Sequence, residues 1–92
     1  MNKALFELGQ VLSTPAALEA LAENHVETLS LLERHMQGDW GILDAEDKAL
    51  NDQAVLEGDR ILSSYQLPDG QKVWIITEWD RSASTFLLPN QY

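Results

Sequence analysis

The sequence contains no cysteine, which excludes a disulfide framework and a thiolate metal site. No apolar run approaches the roughly 20 residues that span a bilayer. The N-terminus has no basic segment followed by an apolar one, so no secretory signal is expected. Basic residues are scarce: six Lys and Arg stand against fifteen Asp and Glu, a formal charge of −9. A wholly basic nucleic-acid footprint is therefore absent. These absences point to a cytoplasmic protein with no membrane association.

What is present suits a folded domain. The chain has 92 residues, of which 45% are hydrophobic, and three of these are tryptophan. That is enough for one domain with one modest core, residues 1–92 as a unit. The charge is unevenly spread. Residues 1–58 carry eleven acids against Lys3, Arg34 and Lys48, whereas residues 59–92 carry four acids against Arg60, Lys72 and Arg81. The acidity thus belongs to the first half, where helices are expected.

Residues 3–12 alternate like a strand at Ala4, Phe6 and Leu8, but the segment is too short to choose between strand and helix. Thr14-Pro15 reads as a helix N-cap followed by proline at the first helical position. Leu18, Leu21 and Ala22 form its apolar stripe. Asn24 with Glu27 fits a capping box that restarts a helix, with Val26, Leu29, Leu32 and Met36 on its inner face. Arg34 and His35 fall in its last turn, where cations suit the helix dipole. Gly38 stops it. Asp44 caps a third helix with Leu50 and Ala54 inward, and Gly58 ends it.

The period then changes from helical to two. Residues 61–67 and 73–79 alternate around Pro68-Asp69-Gly70, a strong hairpin signal. The strand around Ile75 is apolar on both faces, which suits a central position. Asp80-Arg81-Ser82 turns the chain into a last strand, Thr85 to Leu88, closed by Pro89. The expected fold is α+β, with two or three N-terminal helices packed on a three- or four-stranded antiparallel meander.

Several stretches together resemble one family. They are Leu8-Gly9-Gln10, Arg34-His35, Gly38-Asp39-Trp40-Gly41, Asn51, Arg60 to Tyr65, Trp74 to Ser82, Leu87-Leu88-Pro89 and Tyr92. The family is a group of small bacterial proteins from plasmids and integrated elements. They are labelled plasmid-related protein or type I restriction endonuclease subunit M. The one departure is Ser84-Thr85, where the family pattern has two threonines. The resemblance implies a cytosolic accessory protein of mobile elements and carries no catalytic residues with it. The methyltransferase label conflicts with the residues. Holding a nucleoside cofactor and a flipped base takes a much larger domain, and no Asn-Pro-Pro or Asp-Pro-Pro motif is present.

Three constellations bear chemistry. Histidine, arginine and hydroxyls at Arg34, His35, Thr77, Arg81, Ser82, Ser84 and Thr85 are the inventory of metal-independent RNA cleavage, in the manner of barnase or RelE-like toxins. In that reading His35 is the acid or base, Arg81 holds phosphate, and Thr77 is a further catalytic candidate. Structural roles compete: Arg34 and His35 completing a helix end, and Arg81 pairing with Asp80 or Glu78, or bidentate with Asp39. Asp39, Asp44, Asp47, Asp52 and Glu78 form a carboxylate set without calcium-loop or histidine-pair spacing, so helix capping and solvation are the expected roles and no metal or other cofactor is. Trp40, Trp74, Trp79 and Tyr65 offer a core together with a stacking or docking surface.

The leading expectation is a protein that binds another protein through its sheet and the loop at Trp40, with Asp39, Trp40, Trp79, Arg81 and Ser82 at the contact. It would act as a monomer or a homodimer, and nucleic acid is a secondary partner class. The rival expectations are the ribonuclease and an acidic anti-restriction or anti-CRISPR mimic of nucleic acid.

Overall fold

The computed structural model describes residues 4–92. Its elements in chain order are β1 (Gln10–Ser13), α1 (Pro15–Glu23), α2 (Thr28–Met36), α3 (Ala45–Glu57), β2 (Ile61–Gln66), β3 (Lys72–Thr77), β4 (Ala83–Leu87) and a closing 3-10 turn, Pro89–Gln91. The α+β class and the order of helices before the meander are as expected. The sheet is not wholly antiparallel. Its order is β1-β4-β3-β2, and β1 joins β4 in parallel, which makes it a mixed four-stranded sheet. Of the ambiguous N-terminal segment, Gln10 to Leu12 are strand and residues 4–9 are neither strand nor helix, while Lys3 lies outside the described residues.

Local chemistry sets most of the helix ends. Thr14 Oγ1 accepts the Ala17 N–H at 3.1 Å, and Pro15 takes the first helical position of α1, where its missing N–H costs nothing. Asp44 caps α3 in the same way through Asp47 N–H at 2.8 Å. Gly58 ends α3 in the left-handed region at φ +78°. Asn24 departs from its expected role. It closes α1 rather than opening α2, because its Nδ2 donates to Ala20 O and its Oδ1 accepts the Asp69 N–H. It thereby ties the β2–β3 hairpin to α1, and α2 begins four residues later at Thr28.

The strand pairings divide the sheet into two faces. Toward α1 and α2 point Ile61, Ser63 and Tyr65 of β2, Val73, Ile75 and Thr77 of β3, and Ser84 and Phe86 of β4, all buried. Tyr65, Val73, Ile75 and Phe86 meet Ala17, Ala20, Leu21, Leu31 and Leu32 in the main core, and Ile61 packs with Phe6, Trp40 and Ala54 in a second cluster. Each large apolar side chain fully buried there contributes about 1.5–3 kcal/mol. Leu18 and Leu50, expected inward, are exposed, because Ala17, Ala20 and Ala54 hold the contact lines, and Leu29 is exposed because Leu31, Leu32 and His35 form the buried side of α2. On the opposite face one row runs Leu12, Thr85, Ile76, Leu62, and the next runs Leu87, Trp74, Ser64.

Candidate functional site

His35 projects from α2 onto β2 and β3 and is linked to β4 through Thr77. Its Nδ1 lies within hydrogen-bond distance of Ser63 Oγ on β2, and its Nε2 lies 2.8 Å from Thr77 Oγ1 on β3. Thr77 continues to Ser84 Oγ on β4 at 2.7 Å, and Ser84 donates to Leu8 O at 2.8 Å. That terminal carbonyl can only accept, so the whole chain acquires a direction. Ser84 spends its proton on Leu8. Thr77 therefore donates to Ser84, His35 Nε2–H donates to Thr77, and Ser63 donates to the bare Nδ1. This arrangement assigns a neutral imidazole protonated at Nε2. Burial alone pushes the His35 pKa down to about 3. The edge of the ring contacts Phe6 and Trp40, at centroid distances of 5.1 and 5.9 Å. His35, Ser63, Thr77 and Ser84 have almost no accessible surface, and His35 none at all. Both of its nitrogens are engaged, so the group offers no proton-transfer route to a bound substrate.

Arg81 serves the backbone. Residue 81 adopts φ +61°, and its guanidinium donates to Asp59 O at 2.6 Å, Ala54 O at 2.9 Å, Glu78 O at 3.1 Å and, more weakly, Trp79 O at 3.4 Å. It closes the C-terminal end of α3 onto the β3–β4 turn and covers the Phe6 ring at 5.6 Å. Phe6 therefore touches both Arg81 and His35. Asp39 binds Arg34, not Arg81, with Oδ2 2.6 Å from Nε. The Arg34 guanidinium holds the Asp39 carboxyl below its usual range, and Asp39 in turn raises Arg34. Both groups are about half exposed, so the pair is worth no more than about 1 kcal/mol. Arg34 also stacks on Tyr65 at 4.6 Å, whose hydroxyl donates to Asp39 O.

The tryptophans part company. Trp40, expected at a docking surface, is only 3% exposed. Its indole N–H donates to Asp52 Oδ1 at 2.9 Å, which removes the cost of burying it. Trp79 is 66% exposed at the tip of the β3–β4 turn. Asp80 and Ser82 flank it, with the Ser82 N–H donating to Asp80 Oδ1, and the Asp80 carboxyl is held below its usual range first by the Ser82 hydroxyl and then by that N–H. Trp74 lies half-buried on the outer face of the sheet beside Tyr92, with ring centroids 5.7 Å apart.

That outer face holds an open groove of about 360 Å³, lined by Leu43, Asp47, Leu50, Asn51, Arg60, Leu62 and Trp74. Asn51 is the functional side chain that local pattern does not reveal. Its Nδ2 donates to Leu62 O at 2.7 Å and its Oδ1 accepts the Leu62 N–H at 3.2 Å, so a side-chain amide pairs with the free edge of β2 as another strand would. Two residues on, Ser64 N–H donates to Trp40 O and Ile42 N–H to Ser64 O. Only glycine fits between them, because a Cβ at Gly41 would lie 1.9 Å from Ser64 O and φ is +78°. The β2 edge is thus closed at Leu62 and Ser64. The carboxylates serve separate ends: Asp39 on Arg34, Asp44 at the cap, Asp52 on Trp40, Asp47 at the groove. Among the described residues no group of three or more His, Asp or Glu is placed to hold a metal ion, and no helix is long and apolar enough to cross a membrane.

No protein-family model, curated protein or solved structure matches the chain.

Proposed function

We propose that the protein is an accessory binding protein of plasmids and mobile elements. It engages a protein partner through the outer face of its sheet and the segment that follows Trp40. The open groove over Leu62 and Trp74 carries this reading. His35, Thr77 and Ser84 of the catalytic inventory are consumed in the interior. The Trp40 segment contributes through its neighbours: Trp40 anchors the loop in the core, while exposed Ile42 and groove-lining Leu43 face outward. Trp79 adds a second exposed aromatic, held in place by the Arg81 clamp on the same turn. Aromatics on rigid supports are the residues that dominate interface energies.

The test is a photo-crosslinking amino acid placed at Leu50, which is 57% exposed, in the full chain expressed in a plasmid-bearing host. A defined protein adduct that is lost on Ile42→Lys or Trp79→Ala, with thermal stability unchanged, is the expected result. Both variants retaining every adduct would refute the reading. Purified protein cleaving RNA in a His35-dependent manner would replace it with the ribonuclease.

A further inference from the structure

Resting on the binding reading above, we infer that the outer groove takes a segment of the partner in which apolar and basic side chains alternate. The walls and floor set the apolar part. Leu43, Leu50, Leu62 and Trp74 surround about 360 Å³, room for one or two partner side chains but not for a whole helix. The mode of contact follows from the β2 edge. Leu62 and Ser64 already spend their outward N–H and C=O groups on Asn51, Trp40 and Ile42. An incoming peptide cannot add itself as a strand there, so its attachment must come from side chains.

The charge sets the basic part. Helix α3 and its cap bear Asp44, Glu46, Asp47, Asp52 and Glu57 against Lys48. The one ion pair among the described residues is Arg34–Asp39, so no acid of α3 forms an ion pair with another described residue. Asp47 lines the groove itself. The groove's own cation, Arg60, stands at the other rim, hydrogen-bonded to the Tyr92 hydroxyl and stacked on its ring at 5.1 Å. A partner's lysine or arginine is therefore drawn to the α3 wall. A second copy of the chain fits poorly, because it would bring another −9 of charge toward those carboxylates.

The experiment titrates the nitrogen-labelled full chain with three capped hexapeptides: alternating lysine and leucine, the same with glutamate for lysine, and the same with serine for leucine. The indole N–H signals of Trp40, Trp74 and Trp79 report the core, the groove and the exposed turn separately. The lysine–leucine peptide is expected to move Trp74 and the Leu50 and Leu62 amides while leaving Trp40 and Trp79 in place. Asp47→Asn should weaken it about three-fold and Asp47→Lys about ten-fold, as befits one partly exposed charge pair. Leu50→Lys should abolish it without loss of thermal stability. Equal binding of the glutamate peptide would overturn the charge class and leave the binding reading standing. Equal binding of the serine peptide, or an equal shift at Trp79, would mean diffuse attraction and overturn the groove. A concentration-dependent dimer whose contacts map to Trp74 would make a second copy the occupant and overturn the inference too. If no peptide shifts Trp74 while the Leu50 crosslink still captures its partner, the partner's chemistry is misassigned and only this inference falls. If the crosslink also fails, both fall.

Discussion

Acidification should destabilise this protein through one imidazole. His35 is fully buried and its pKa is pushed down to about 3, against an ordinary value of 6.5. In the unfolded chain it binds a proton as pH falls through 6.5, whereas in the native state it stays neutral until about 3. Below pH 6.5 the unfolded state therefore holds more protons, and stability falls with pH by about 1.4 kcal/mol per unit. From pH 7 to pH 4.5 the loss comes to about 2.5 kcal/mol. That is a large share of the ~5–15 kcal/mol that ordinarily holds a domain together, and it corresponds to a fall of roughly 10–20 °C in Tm for a chain of this length.

Three shifted carboxylates act outside this window. Asp39, Asp69 and Asp80 all titrate below their usual range in the folded state, so what they contribute is lost at lower pH. The assay is urea unfolding followed by tryptophan fluorescence at half-unit steps from pH 7.5 to 4.5, for wild type and His35→Gln. A glutamine amide offers one donor and one acceptor to Thr77 and Ser63, and it does not titrate. Easing of the −9 self-repulsion affects both proteins alike and cancels in the difference. The wild type should lose about 2.5 kcal/mol more than the variant over that range. In a His25→Asn background, the nitrogen shifts of the remaining imidazole should report the Nε2–H tautomer, constant over the same range. Parallel pH profiles for wild type and His35→Gln, or an imidazole titrating near 6.5 in the native state, would refute the reasoning.

Three further outcomes follow from the same contacts. Arg81→Ala should destabilise by about 2–3 kcal/mol by unclamping four carbonyls, read by thermal unfolding, and Arg81→Gly by about 1 kcal/mol less, because glycine relieves the positive φ. Gly41→Ala should cost more than about 2 kcal/mol, since its Cβ meets Ser64 O. Hydrogen exchange should show the loss first at the Ile42 and Ser64 amides. Asn51→Ala should cost about 1–3 kcal/mol by leaving Leu62 N–H and C=O unpaired, and Asn51→Asp should cost more, because it sets a carboxylate against Leu62 O.

Legibility in the sequence followed the range of the interaction. Thr14-Pro15, Asp44, Gly58 and Pro68-Asp69-Gly70 act within a few residues of themselves, and each does in the fold what its local chemistry implies. Asn24 misleads because its partner, Asp69, is a hairpin away. The parallel seat of β1 depends on β4 some seventy residues later, and alternation in so short a segment carries no direction. His35 reads as a helix-end cation because nothing near it announces Ser63, Thr77 and Ser84. Those three hydroxyls do share one face of the meander, and three small polar residues on an otherwise apolar face are the signal that a buried polar partner must come from a helix. Trp40 reads as exposed because it lies in a loop, and the acid that satisfies its indole is twelve residues on.

The division between neutral interior and charged exterior explains why an inventory that resembles catalysis serves structure instead. An ion pair inside this small core would bear a desolvation cost of several kcal/mol per charge. The chain from Ser63 through His35 and Thr77 to Ser84 fixes α2 against β2, β3 and β4 with neutral groups alone. Its one-way run of protons, ending on Leu8 O, admits a single arrangement of donors. Register is thereby specified at the centre of the sheet by groups that require no counter-ion. Apart from Asp52, which accepts the Trp40 indole N–H, the carboxylates of α3 make no contact with the interior and stay exposed. In the proposed binding role, the apolar groove supplies the area for contact, and the acids beside it supply the sign of the charge selected.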